Sequence, residues 1–130
     1  MANLGGEKQR VLLVEDEEDA RDLTALTLAK YTLVCARDFN EGARLARRGG
    51  FGLYILDSWL PDGSGVELCR LIRELDPHTP ILFYSAAAFK HDIQEALSCG
   101  AQAYLTKPAT SEELRQAVAS LISPPRETAF

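Results

Sequence analysis

The chain has 130 residues, 46% of them hydrophobic and 25% charged, with a formal net charge of −5 at pH 7. That length suits one domain with a core of its own. The balance excludes a disordered polymer and argues against bulk electrostatic affinity for nucleic acid or anionic membrane, and no apolar run reaches the length of a membrane span.

Arg10–Val14 reads as the first strand: Val11-Leu12-Leu13-Val14 is too short for a helix and apolar throughout, the pattern of a strand buried on both faces. Helix 1 is expected from about Asp19 to Lys30, with Ala20, Leu23, Leu26 and Thr27 turned inward. Thr32–Ala36 gives strand 2. Phe39, Ala43 and Ala46 mark helix 2, stopped by Gly49-Gly50. Strand 3 is Phe51–Leu56. Pro61-Asp62-Gly63-Ser64-Gly65 has turn chemistry. Leu68, Leu71, Ile72 and Leu75 then form a third helical face, ended by Pro77 and Pro80. Ile81–Tyr84 is strand 4, and Ile93, Ala96 and Leu97 mark helix 4, with Gly100 at its C-terminal end. Strand 5 is Ala103–Thr106. Thr110 and Glu113 make a capping box for helix 5, whose inner face is Leu114, Ala117, Val118 and Leu121 before Pro124-Pro125. Residues 1–9 read as a flexible lead-in without the apolar core of a signal peptide, 10–123 as one domain, and 124–130 as a tail or the start of a linker. Cys35, Cys69 and Cys99 have no metal-like spacing and read as small thiols in a reducing compartment.

Five strands alternating with five helices predict a parallel sheet covered on both faces, because crossovers are right-handed. In such a sheet, groups just past the carboxyl ends of the strands meet in one crevice. Glu15 and Asp16 follow strand 1, Asp57 follows strand 3, Ser85 follows strand 4 and Lys107 follows strand 5. Carboxylates a few ångströms apart repel, so such a cluster holds a proton or binds a cation. Oxygen donors with no His or Cys nearby favour Mg²⁺ or Mn²⁺. A carboxylate beside a metal can attack a phosphoryl group, an ammonium can neutralise the phosphoryl oxygens, and a hydroxyl can hydrogen-bond to one of them. Taken singly each residue has a plainer reading. Glu15 and Asp16 open an acidic loop that favours the following helix N-terminus, Asp57 is a turn former, Ser85 a strand-end hydroxyl and Lys107 a solvated cation. Their joint placement favours a site.

Val14-Glu15-Asp16, Leu56-Asp57 with Leu60-Pro61-Asp62-Gly63-Ser64-Gly65, Tyr84-Ser85-Ala86 and Tyr104-Leu105-Thr106-Lys107-Pro108 together resemble the receiver domains of bacterial two-component response regulators, over about Arg10–Ile122. The resemblance implies an α/β, flavodoxin-like (βα)5 doubly wound fold with a five-stranded parallel sheet of order 2-1-3-4-5. It implies Asp57 as phosphoacceptor, Asp16 as a direct Mg²⁺ ligand, Glu15 as a ligand through water, and the Trp59 backbone carbonyl as the remaining protein ligand. Ser85 and Lys107 would bind the phosphoryl group, and Lys107-Pro108 matches the family's cis peptide bond. Ser85 and Tyr104 occupy switch positions, with a half-buried strand aromatic as the alternative reading of Tyr104: Ser85 would move toward the phosphoryl group, Tyr104 would fill the space, and the face of helix 4, strand 5 and helix 5 would be remodelled. The phosphoryl donor would be a sensor histidine kinase or histidine phosphotransfer protein, and the output a downstream effector protein or domain, with homodimerisation through the same face. Direct nucleic-acid or membrane binding by this domain is not expected, and the location implied is cytoplasmic. The domain would catalyse its own aspartyl phosphorylation and slow dephosphorylation without turning over small substrates.

Glu15 stands where the family often has Asp, and Ser85 where Thr is commoner. Trp59 is bulky for a position two after the phosphoacceptor, and Ala87, two after Ser85, cannot position a water; a shielded, long-lived acyl phosphate is expected. His78 and His91 lie near no strand end and read as surface residues. Two rival readings keep the fold: a protein-binding module that works without phosphorylation, and a small metal-dependent phosphatase, for which Trp59 replaces the expected second acid.

Overall fold

Val11–Val14, Leu53–Leu56 and Ile81–Phe83 have no polar side to offer solvent, and in the computed structural model, which describes residues 8–122, they are the buried centre of the sheet. Seven strands and five helices follow in chain order. They are β1 (Arg10–Val14), α1 (Glu18–Thr27), β2 (Thr32–Ala36), α2 (Phe39–Arg48), β3 (Leu53–Leu56), β4 (Trp59–Leu60), β5 (Gly63–Ser64), α3 (Gly65–Leu75), β6 (Ile81–Ser85), α4 (Lys90–Ser98), β7 (Ala103–Thr106) and α5 (Ser111–Ile122). The main sheet is parallel, in the order β2-β1-β3-β6-β7. Counting its own strands alone, that is 2-1-3-4-5, the flavodoxin-like arrangement. The loop expected at residues 61–65 carries a small antiparallel ribbon, with Trp59 opposite Ser64 and Leu60 opposite Gly63. The proposed lead-in and tail lie largely outside the described residues; pairing along the sheet already reaches Gln9, whose carbonyl accepts from Thr32 N at 2.8 Å.

Alternate residues of each central strand feed two separate cores. Leu12, Val14, Tyr54, Leu56, Ile81 and Phe83 pack under α2, α3 and α4 with Ala43, Leu68, Ile72 and Ala96. Val11, Leu13, Leu53, Ile55 and Leu82 pack under α1 and α5 with Leu28, Leu114 and Val118. Among the described residues no helix is long and apolar enough to cross a membrane.

Helix α1 departs from expectation. It ends at Thr27, and its inward positions are Thr24 and Leu28 with Ala20 and Thr27 beside them, whereas Leu23 and Leu26 are 62% and 76% exposed. Both stripes have helical spacing, and the expected one is the richer in leucine. The buried stripe 20-24-27-28 lets small side chains bring the helix close to the sheet, with the large Leu28 filling the space past its end. Leu75 and Leu97, also expected inward, are exposed in the last turns of α3 and α4.

Side-chain caps, most of them local, fix several of the helix starts. The Thr110–Glu113 capping box of α5 forms as expected, with donor–acceptor distances of 2.8 and 3.0 Å. A second box, Ser64–Glu67, starts α3. Asp62 reaches across from the ribbon and accepts from the N–H groups of Phe39 and Asn40 at 2.7 and 3.0 Å, holding the first turn of α2. Arg73 near the end of α3 binds the turn after α4: its guanidinium donates to Gly100 O at 3.0 Å and to Gln102 Oε1 at 2.7 Å, and the same Gln102 oxygen accepts from Ile81 N.

Candidate functional site

The carboxyl ends of β1, β3 and β7 bring together Glu15, Asp16, Asp57 and Lys107, and Ser85 stands at the end of the neighbouring β6. Glu15 is buried and continues β1, its N–H donating to Ala36 O at 2.9 Å. Asp16 follows it into solvent. One carboxylate oxygen from each of Glu15, Asp16 and Asp57 lies within 4.8 Å of the others. At such a separation two full charges repel by roughly 3–4 kcal/mol for an effective dielectric near 20, and less where water reaches Asp16. Lys107 offsets part of this. Its Nζ donates to Glu15 Oε1 at 2.7 Å and stands 3.6 Å from Asp57 Oδ2. One ammonium against three carboxylates leaves an excess of negative charge, and the oxygen-only donor set fits a hard divalent cation.

Two of these groups titrate abnormally. Burial pushes the Glu15 carboxyl up, and the Asp57 charge adds to it against the Lys107 hydrogen bond and the N–H of Glu17. Burial works against the Lys107 ammonium, but the Glu15 hydrogen bond and the charges of Asp57 and Glu15 prevail and raise its pKa. Lys107 is therefore a fixed positive charge. Its Nζ also sits 5.0 Å from the centre of the Tyr84 ring, a cation–π contact that limits where the chain can swing.

Ser85 closes β6 and is fully buried. Its Oγ accepts from Ala87 N at 3.1 Å, so the hydroxyl proton remains available to another acceptor. The Ser85 carbonyl takes Lys107 N at 2.9 Å, which ties β6 to the residue that carries the ammonium. The Lys107-Pro108 bond is cis. Tyr104 lies with its ring parallel to Phe83, centroids 5.7 Å apart. Its hydroxyl donates to the Ala87 carbonyl and meets Ser58 Oγ at 3.1 Å.

Asp57 is positioned by backbone on both sides. Its N–H donates to Val14 O at 3.2 Å, and its Oδ1 accepts from Ser58 N at 2.7 Å. Behind it stands Gly65, whose N–H donates to Ser58 O at 2.8 Å. A Cβ on Gly65 would overlap the Asp57 carbonyl and press on the Phe83 ring, so only glycine permits α3 to start this close to the phosphoacceptor candidate.

Trp59 lies on β4, two residues past Asp57, with its indole 63% exposed along a cleft that Val66, Glu67, Arg70 and Asp92 also line. His78 and His91 are exposed, as expected; His91 stacks on Phe89. Sequence reasoning missed Ser58, Asp62 and Arg21, whose guanidinium holds the Glu15 carbonyl at 2.9 Å. Adjacency to Asp57 was the only available signal for Ser58; Asp62 acts across the fold, and Arg21 reaches back from α1 to a backbone carbonyl that no side-chain pattern marks.

The comparisons with known proteins agree. The family model described as "Response regulator receiver domain" matches residues 11–119. Response regulator protein PilR of Pseudomonas aeruginosa is 37% identical over 117 residues, 88% of this chain and 26% of its own. Uncharacterized transcriptional regulatory protein YrkP of Bacillus subtilis is 40% identical over 111 residues, 84% of this chain and 47% of its own. The chain thus spans half or less of these relatives' length. Among solved structures, the non-phosphorylated HemR receiver domain of Leptospira biflexa superposes with a TM-score of 0.84 at 31% identity, covering 94% of this chain and 100% of that one. The receiver domain of sensor histidine kinase PA1611 of Pseudomonas aeruginosa, solved with a magnesium ion coordinated in its active-site cleft, gives 0.83 at 27% identity, over 90% and 99%.

Proposed function

The chain belongs to the response regulator receiver domain family, and from that premise we propose that it takes a phosphoryl group onto Asp57 from a phosphohistidine donor and passes the change to the face of α4, β7 and α5. The observation that carries this reading is the convergence of Glu15, Asp16 and Asp57 with a Lys107 ammonium that bridges two of them. Asp57 Oδ attacks phosphorus, the P–N bond to the imidazole breaks, and the imidazole takes up a proton as it leaves. Lys107 neutralises the phosphoryl oxygens. Ser85, with Oγ already oriented by Ala87 N, donates its free proton to one of them. Glu15, Asp16 and Asp57, with the Trp59 carbonyl, would hold Mg²⁺, or Mn²⁺ in its place. The bound ion would supply further positive charge against the phosphoryl oxygens. Driving a two-state face from 1:99 to 99:1 takes about 5.5 kcal/mol of differential interaction, and the phosphoryl contacts of Lys107 and Ser85 are where this reading draws it from. Acetyl phosphate with Mg²⁺ should add one phosphoryl mass to the protein, and a chelator should prevent it. An unchanged mass at saturating donor would leave the phosphorylation-independent binding module as the better reading.

The donor would be a sensor histidine kinase or histidine phosphotransfer protein, and we place the exchange in the cytoplasm. It would approach over α1, where Leu23 and Leu26 are exposed and a groove runs from Leu23 past Tyr84 and Pro108 to Lys107. Leu23→Asp with Leu26→Asp should slow transfer from a phosphohistidine donor by about tenfold or more while leaving acetyl phosphate labelling unchanged. Equal slowing of both reactions would show damage to the site instead. The output would be an effector domain or protein, or a second copy of the chain, on the α4–β7–α5 face. Trp59→Asn should shorten the life of the acyl phosphate, followed as decay of the phosphorylated mass; an unaltered decay would mean that the exposed indole covers nothing.

A further inference from the structure

The hydroxyl of Tyr104 has one proton, and it is spent on the Ala87 carbonyl. At the 3.1 Å contact with Ser58 Oγ, Tyr104 can therefore only accept, and Ser58 must be the donor. The same residue donates its backbone N–H to Asp57 Oδ1 at 2.7 Å. Ser58 thus binds the phosphoacceptor with its main chain and Tyr104 with its side chain. From Tyr104 the chain of contacts runs on to Ala87 O, and Ala87 N donates to Ser85 Oγ. The network thus links Asp57, through Ser58 and Tyr104, to Ser85, and Ser58 is its member next to Asp57 in sequence.

We infer that Ser58 is a positioning residue that holds Tyr104 against Phe83 before any phosphoryl group arrives and ties the ring's position to the state of Asp57. This deepens the receiver reading and rests on it. The charge on Asp57 strengthens the bond from Ser58 N, because a hydrogen bond to an ionised acceptor is stronger than one to a neutral acceptor. Conversion of the carboxylate to an acyl phosphate removes that charge from Oδ1, and the backbone at residue 58 is the first to feel it. The serine hydroxyl carries the change directly to Tyr104, alongside the path through Ser85. Because the ring is already held inward, Ser58 pre-pays part of the ordering that the phosphorylated state needs, and its loss lowers the fraction of competent protein.

The test labels the protein with 3-fluorotyrosine, with the Tyr104 resonance assigned through Tyr104→Phe. In Mg²⁺-free protein, Ser58→Ala should shift or broaden the Tyr104 ¹⁹F signal, and Ser58→Thr should restore it. In a second measurement, beryllofluoride with Mg²⁺ is titrated against the fluorescence of Trp59. Ser58→Ala should weaken its apparent affinity about 3- to 10-fold, the loss of one hydrogen bond, and the same substitution should have no effect in a Tyr104→Phe background. An unmoved ¹⁹F signal in Ser58→Ala, a Ser58→Thr signal that stays with the alanine variant, or an equal loss of affinity in the Tyr104→Phe background overturns the inference. A wild-type protein that gives no beryllofluoride response strikes the receiver chemistry instead, and the Mg²⁺-free spectra still decide the role of Ser58.

Discussion

Asp57→Asn should abolish labelling by acetyl phosphate, with a fall in rate of at least about 1,000-fold. The amide oxygen is a poor nucleophile, and the substitution changes little else: Asn can still accept from Ser58 N where Asp57 Oδ1 does now, at 2.7 Å. Folding should survive and gain slightly, because Asp57 is one of the charges that crowd Glu15. Three readouts separate these effects. Intact mass reports phosphorylation, the thermal midpoint reports folding, and the rise of that midpoint with Mg²⁺ reports cation binding, which should weaken as one of three carboxylates is lost. A phosphoryl mass that persists in the asparagine variant would move the acceptor to Glu15 or Asp16 and break the assignment of roles.

Gly65→Ala should cost about 3 kcal/mol of stability or more, the upper end of the usual overpacking penalty because the site cannot relax, and should slow phosphorylation in the protein that still folds. The added methyl meets the Asp57 carbonyl and lies 2.9 Å from Phe83 Cε2. Neither neighbour can give way easily. Phe83 is fully buried in the core, and the start of α3 is fixed by the Gly65 N–H bond to Ser58 O and by the Ser64–Glu67 box. Relief comes only from moving Asp57, and that displaces the proposed nucleophile. Gly49→Ala is the control: its Cβ would meet nothing within 4 Å, so only the strain of φ +72° with ψ −169° remains, worth about 1–3 kcal/mol. Urea midpoints of the two variants decide the matter. A Gly65→Ala protein with the midpoint of the wild type would show that α3 can shift without cost.

The parts of this molecule that the sequence reveals are those where a single element states its own chemistry. Apolar runs such as Leu53–Leu56 leave a strand no exposed face, so sheet membership and the burial of both faces follow. An acid at the end of such a run has only the crevice to occupy. The Thr110–Glu113 box is local and was legible for the same reason. Helix α1 was less transparent because Leu23 and Leu26 lie on one side of the helix and Leu28 on nearly the opposite one, so leucine spacing alone offers two stripes. Choosing between them requires the distance to the sheet, which small residues at 20 and 24 set. Contacts made across the fold left no trace at all: nothing in Asp62 says that it will cap α2, and nothing in Ser58 says that its hydroxyl will face Tyr104, 46 positions away.

The clamp of Arg73 on Gly100 and Gln102 has a mechanical consequence. It anchors the C-terminal end of α4 to α3 and, through Gln102, to the first residue of β6. The Tyr104 bond to Ala87 acts at the opposite end, just ahead of Lys90. On the proposed receiver function, helix α4 would act as a lever with its fulcrum at Gly100 and its load applied near Ala87. Signals from the pocket would tilt it rather than slide it, and the largest excursion on that surface would fall around Phe89, an exposed aromatic at the free end.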